Sequence, residues 1–139
     1  MMEPLYTASV TANGGREGHV KSEDGIIDLD VRQPKELGGS GEQAANPELL
    51  FAAGYAACYD SALNLVLSKD RKKVSTSVTS NVTIGKDEED GGFKLAVRLD
   101  VSIPDLDKEE AKQYAEKAHQ VCPYSKATRG NIEVTIITV

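Results

Sequence analysis

The sequence predicts an α+β fold, and three observations carry that prediction. A long apolar helix stands between two groups of strand-like segments. The second group contains an unbroken alternation of apolar and polar residues. A further helix, a short helical turn and a closing strand then end the chain. Strands, helix, strands, helix, strand is a segregated order, not the strict alternation of a parallel α/β sheet.

The elements follow in order. PLYTASVTA alternates loosely as a strand and ends at Asn13-Gly14-Gly15, a turn signal. GHVKS and GIIDLDV flank EDG and read as a hairpin, because Asp-Gly readily takes the positive φ angles of tight turns. GGSGEQAA is a polar loop. Asn46 then caps a helix, Pro47 suits its first position, and Glu48 favours the positive end of its dipole. This helix is expected to run to about Lys69. Its apolar character on nearly all sides predicts burial. After residue 73 the period changes: Val74, Val78, Val82 and Ile84 share one face of a strand, and KDEEDGG turns the chain. Phe93, Leu95, Val97, Leu99, Val101 and Ile103 form the cleanest strand pattern. Asp107 and Glu110 make a capping-box-like start for a helix through about Gln120. CPYSKAT is a short helical turn entered through Pro123, and IEVTIITV closes as a strand.

The bulk numbers exclude several function classes. With 139 residues, 40% hydrophobic and 27% charged, the chain reads as one soluble domain spanning 1–139, with no linker or repeat. A net charge of −6 gives no electrostatic case for nucleic acid or an anionic membrane. Arg71, Lys72 and Lys73 are basic neighbours, read as a solvated helix end. No secretory signal is visible, and no stretch is expected to span a bilayer, which makes a cytoplasmic location the expectation. In a reducing compartment a pair of cysteines is more apt to be chemical than a structural staple.

Cys58 and Cys122 carry the interest. Cys58 sits on the apolar helix, where a cysteine is commonly a small core residue. Cys122 precedes Pro123 at a helix start, where unpaired N–H groups favour a thiolate; a small residue tolerated before proline is the plain alternative. Their separation excludes a CxxC motif but not contact in space. His19 and His119 have no zinc-like spacing with them, so no metal site is expected. No phosphate-binding loop, nucleophile-elbow serine or dinucleotide fingerprint is present. Arg16 and Glu48, taken singly, read as a surface arginine and a helix-start carboxylate.

Read together, GGREGHVKSEDGIIDLDVRQPKELGGSG, NPELLFAAGYAACYDSAL and CPYSKATRGNIEV closely resemble the organic hydroperoxide resistance proteins of the OsmC-like superfamily. The resemblance covers nearly the whole chain in order. It implies an OsmC-like fold: antiparallel sheets around a long buried central helix, in an intertwined homodimer. It also implies a thiol-dependent peroxidase reducing alkyl and lipid hydroperoxides, with Cys58 as the peroxidatic cysteine, Cys122 as the resolving one, and Arg16 and Glu48 tuning the reactive sulfur. No bound cofactor is implied; an external dithiol, a dihydrolipoyl group on a lipoylated protein, is the implied reductant.

The residue chemistry is consistent with those roles. Burial raises a thiol pKa, and a guanidinium held by a carboxylate can restore the thiolate. Phe51, Tyr55 and Tyr124 are candidates to line a pocket for the organic tail of the substrate, with plain core packing as the other reading. An unbroken helix from residue 47 would separate Glu48 from Cys58 by about 15 Å along its axis and about 80° around it. Either the helix breaks at Gly54 or a second subunit completes the site, and the second is expected. Two rivals stand beside this reading: the osmotically induced sister branch, with another peroxide preference, and a non-catalytic redox-switch binding module.

Overall fold

The computed structural model describes residues 1–139. The chain divides into two compact units, residues 1–50 and 51–139.

The first unit is a three-stranded antiparallel sheet of β1 (Val10–Asn13), β2 (His19–Ser22) and β3 (Asp28–Asp30), in that order. β1 is shorter than the expected strand: residues 1–9 carry no regular structure, and Leu5 and Tyr6 in this arm are exposed. Between β1 and β2 the chain makes a tight 3-10 turn over Gly15–Glu17. Gly18 closes it, since a Cβ there would lie 1.7 Å from the Asn13 carbonyl oxygen. The Gly18 carbonyl accepts both the Val31 N–H and Arg32 Nη1 at 2.8 Å, which pins the turn to the strand beyond β3. The expected β2–β3 hairpin forms, with Gly25 at φ 77° and Asp24 accepting the Ile26 N–H. A second 3-10 turn, Lys35–Leu37, was not foreseen. A bridge between Val31 and Ala45 then returns the chain to the start of the long helix.

That helix, α1 (Pro47–Lys69), has the expected bounds, and the Asn46 side chain accepts the Leu49 N–H at 2.7 Å. It runs unbroken through Gly54, so the expected alternative of a break there is absent.

In the second unit, β4 (Ser77–Lys86) and β5 (Phe93–Ser102) form a full antiparallel hairpin, with Ser77 opposite Ser102 and Lys86 opposite Phe93. α2 (Lys108–Val121), α3 (Pro123–Thr128) and β6 (Val134–Thr138) follow. Asp107 caps α2 by accepting the Glu110 N–H at 2.8 Å. The reciprocal half of the capping box is missing because the Glu110 carboxylate binds Lys72 Nζ instead. The core joins Tyr59, Leu63 and Leu67 of α1 to Leu99 and Val101 of β5 and Ala115 of α2. Each large side chain buried this way contributes about 1.5–3 kcal/mol.

Three expectations need correction. β6 pairs with β5 in parallel, so this sheet is mixed; the crossover through α2 and α3 permits it, where a short loop would force an antiparallel strand. α1 is not buried all round: Leu49, Ala53, Ala57, Ser61 and Leu65 form an exposed stripe opposite the core face, with Leu49 57% and Leu65 45% exposed. Finally, α1 is long and apolar enough to cross a membrane by length and composition. Its core face packs against the chain's own sheet and helices.

Candidate active site

The structure brings the two cysteines together. Cys122 Sγ lies 3.7 Å from Cys58 Sγ, and both are free thiols. Cys58 sits on α1 beside the core positions Tyr55, Tyr59 and Ala62 and is half-buried, while Cys122 is fully buried. A disulfide has an S–S bond of about 2.05 Å, so closing the pair needs a movement of about 1.6 Å.

Local sequence explains the placement of Cys122. Pro123 biases the residue before it toward extended backbone, and Cys122 has φ −62° and ψ 124°. Pro123 itself opens α3 where a missing N–H costs nothing. Cys122 thereby becomes the N-cap of α3, and its sulfur accepts the Ser125 N–H at 3.4 Å. A neighbouring N–H, that of Tyr124, favours the Cys58 thiolate. Burial dominates nonetheless and pushes the Cys58 thiol up, as does the adjoining Cys122 sulfur. Such a thiol is a poor nucleophile unless a cation offsets its burial.

Phe51, Tyr55 and Tyr124 form an aromatic cluster in this unit, with ring centroids 5.8–6.2 Å apart in edge or tilted arrangements. They differ in exposure: Tyr55 is fully buried, Phe51 partly buried, and Tyr124 is 39% exposed. Tyr124 lies close over Gly54, where a Cβ would come within 2.9 Å of its hydroxyl, so a larger residue there would displace the ring. The Tyr55 hydroxyl is already engaged by Ser125 Oγ at 2.7 Å, leaving mainly its ring edge for apolar contact.

Arg16 and Glu48 pair in the first unit. Arg16 Nη1 donates to Glu48 Oε2 at 2.9 Å and Nη2 to Oε1 at 2.6 Å, a two-pronged contact between residues 32 apart in sequence. The hydrogen bonds hold the Glu48 carboxyl below its ordinary range and raise the Arg16 pKa, so both groups are charged at neutral pH. The Glu48 side chain is 13% exposed and that of Arg16 34%, so the guanidinium keeps an accessible edge. In sequence, nothing but the family motif links these two residues.

His19 binds Asp30 through Nδ1 and Asp28 through Nε2, bracing β2 against β3, and both contacts raise its pKa. No three His, Cys, Asp or Glu side chains are grouped as metal ligands. Sequence reasoning set His119 aside, yet its Nδ1 lies 2.8 Å from the buried Ser125 Oγ. Only the hydroxyl and imidazole chemistry of Tyr55, His119 and Ser125 hinted at such a cluster, and their separation in sequence concealed it.

Comparison with known proteins gives the chain's family and its fold relatives. Residues 39–137 match the family described as OsmC-like protein. The chain is 54% identical to the organic hydroperoxide resistance protein OhrA of Bacillus subtilis, covering 98% of this chain and 97% of that one. A solved organic hydroperoxide resistance protein from Elizabethkingia anophelis, with thiocyanate bound, superposes with a TM-score of 0.92 at 56% identity, covering 99% of this chain and 98% of its own. A Vibrio cholerae structure described as a putative organic hydroperoxide resistance protein, with captopril bound in one of its active sites, has a TM-score of 0.91 at 46% identity over 99% and 94% of the two chains.

Proposed function

The chain belongs to the OsmC-like family, and we propose that it detoxifies organic hydroperoxides as a cysteine-based peroxidase. The observation that carries the proposal is the pair of free thiols 3.7 Å apart, one half-buried and one fully buried. The relatives' names supply the substrate class.

In the first step the Cys58 thiolate attacks the terminal oxygen of ROOH. The O–O bond breaks, Cys58 becomes a sulfenic acid, and the departing alkoxide takes up a proton to leave as ROH. In the second step the Cys122 sulfur attacks the sulfenic sulfur. An S–S bond forms, the S–O bond breaks, and the thiol proton leaves with hydroxide as water. Two electrons have passed from the thiols to the peroxide. An external dithiol restores both thiols by exchange, and a dihydrolipoyl group is the reductant we propose. No bound cofactor enters the cycle.

Arg16 is assigned the cationic role. The resemblance supports this assignment: a charged guanidinium can favour a thiolate that burial disfavours, and Glu48 holds that of Arg16 through the two-pronged contact. Phe51 and Tyr124, backed by the buried ring of Tyr55, supply apolar surface for the organic tail; hydrogen peroxide has none to bury.

A homodimer completes this reading. Much of α1 is left uncovered within one chain, and its exposed stripe carries the small residues Ala53, Ala57 and Ser61. Small residues permit close approach of a second helix. The apolar N-terminal arm is equally uncovered, with Leu5 93% exposed. A monomer at working concentration in analytical ultracentrifugation contradicts this part. A reducing cytoplasm suits two free cysteines that must cycle.

The test is steady-state turnover with dihydrolipoamide as reductant, comparing cumene or tert-butyl hydroperoxide with hydrogen peroxide. Repeated turnover with a higher kcat/KM for the organic peroxides supports the proposal. Comparable rates point to the osmotically induced sister branch. Oxidation limited to one equivalent, with the dithiol present, identifies a redox switch instead.

A further inference from the structure

Behind the sulfur pair lies a buried polar chain that the two-cysteine chemistry does not use. Ser125, fully buried on the first turn of α3, has its Oγ 2.7 Å from the Tyr55 hydroxyl of α1 and 2.8 Å from His119 Nδ1 of α2. Thr128 Oγ1 closes the inner end, 3.4 Å from the Tyr55 hydroxyl. The outer end reaches a cavity of about 540 Å³ bordered by α2 and β6, lined by His119, Gln120, Lys117 and Ile136 among others. Polar groups buried so completely are costly unless each finds a partner, and here each does.

We propose that His119, through Ser125, is a positioning residue for the resolving cysteine. Ser125 is the residue whose backbone N–H donates to Cys122 Sγ, so whatever holds Ser125 also holds that donor at the sulfur. Three separate elements are tied at this one residue, α1 through Tyr55, α2 through His119 and α3 through Ser125 itself. Arg129 Nη2 donates to the His119 carbonyl at 2.7 Å and fixes the end of α2 that carries the imidazole.

The inference rests on the proposed peroxidase cycle and concerns its second step. The two sulfurs must close by about 1.6 Å as the S–S bond forms and the S–O bond breaks, with the thiol proton leaving in water. The Ser125 N–H stabilises negative charge on the Cys122 sulfur while it attacks. A wandering first turn of α3 lengthens the life of the Cys58 sulfenic acid and exposes it to a second peroxide. That second oxidation gives the sulfinic acid, which exchange with a dithiol does not recover.

The test measures a ratio, so a change in the rate of the first step cancels. Reduced wild type, His119→Leu, His119→Asn and Ser125→Ala are treated with a rising excess of cumene hydroperoxide. Intact mass and peptide mapping then give Cys58–Cys122 disulfide against Cys58 sulfinic acid. Leu removes the ring nitrogen, while Asn restores a polar atom near the Nδ1 position. The disulfide-to-sulfinic ratio is expected to fall about tenfold in His119→Leu and Ser125→Ala, and to return to within about threefold of wild type in His119→Asn. A wild-type ratio in His119→Leu overturns the inference. So does a folded His119→Asn protein as impaired as His119→Leu, which would show that the contact to Ser125 is not the cause. If wild type itself forms no disulfide, the peroxidase reading fails and takes this inference with it.

Discussion

Residues 1–50 and residues 51–139 are stabilised in different ways. The second unit has a conventional core in which Leu63, Leu99, Val101 and Ala115 are wholly covered. In the first, Val31 is the one fully buried hydrophobic residue, and β1 and β3 are exposed along their length. That unit is held by backbone ladders, by the Gly18 carbonyl accepting two hydrogen bonds, and by the His19 and Arg16 contacts to carboxylates. A two- or three-stranded sheet without a covered face is marginal on its own. The proposed chemistry divides the same way. The sulfurs sit in the well-packed unit, and the proposed cation sits on a tight glycine-bounded turn. Under that proposal, nucleophile and activator are set in surroundings of different kinds.

The sharpest way to break this contrast is to remove the nucleophile. Cys58→Ser is expected to lower turnover by roughly three orders of magnitude or more while leaving the fold intact, checked by peroxide consumption alongside circular dichroism. The next effect is in packing. Leu99→Ala is expected to cost about 3 kcal/mol in urea denaturation, whereas Leu29→Ala in β3 stays within about 0.5 kcal/mol. Equal losses would erase the distinction between the units. Arg16→Gln tests the proposed cationic role directly: under that proposal the apparent pKa of Cys58 alkylation moves up relative to wild type, and an unchanged value removes Arg16 from the chemistry.

The smallest effect concerns Glu48. Its folded pKa is depressed by the hydrogen bonds from Arg16, so its contribution to stability is present above the unfolded carboxyl pKa and fades as pH falls through the depressed folded value. Allowing for the solvent screening of a partner one-third exposed, Glu48→Gln is expected to cost about 1 kcal/mol at pH 7, a difference that vanishes in strong acid. A difference independent of pH would assign the loss to packing instead.

Much of this was legible in the residues. Asn46-Pro47-Glu48 marked the start of α1, the alternation from Phe93 marked β5, and Asp107 marked α2, because caps and periodicity are local signals. The closeness of Cys58 and Cys122 and the pairing of Arg16 with Glu48 came from family motifs, not from spacing. The parallel pairing of β6 was hidden because IEVTIITV has the same pattern in either direction. The exposed stripe of α1 was hidden because alanine and serine are at home on covered and uncovered faces alike. β4 starts at Ser77, later than Val74 suggested, since Val74 packs on the core without joining the ladder. The clasp of Tyr55, Ser125 and His119 joins positions as much as 70 apart in the chain, which no local pattern encodes.

The central claim is that Cys58 is oxidised first and Cys122 resolves it. Its most direct test is titration of the reduced protein with one equivalent of an alkyl hydroperoxide, read by intact mass and peptide mapping in wild type, Cys58→Ser and Cys122→Ser. The account predicts a Cys58–Cys122 disulfide in wild type, a trapped sulfenic acid at Cys58 in Cys122→Ser, and no rapid oxidation in Cys58→Ser. A folded wild type whose Cys58 stays reduced would contradict it and leave that cysteine as packing.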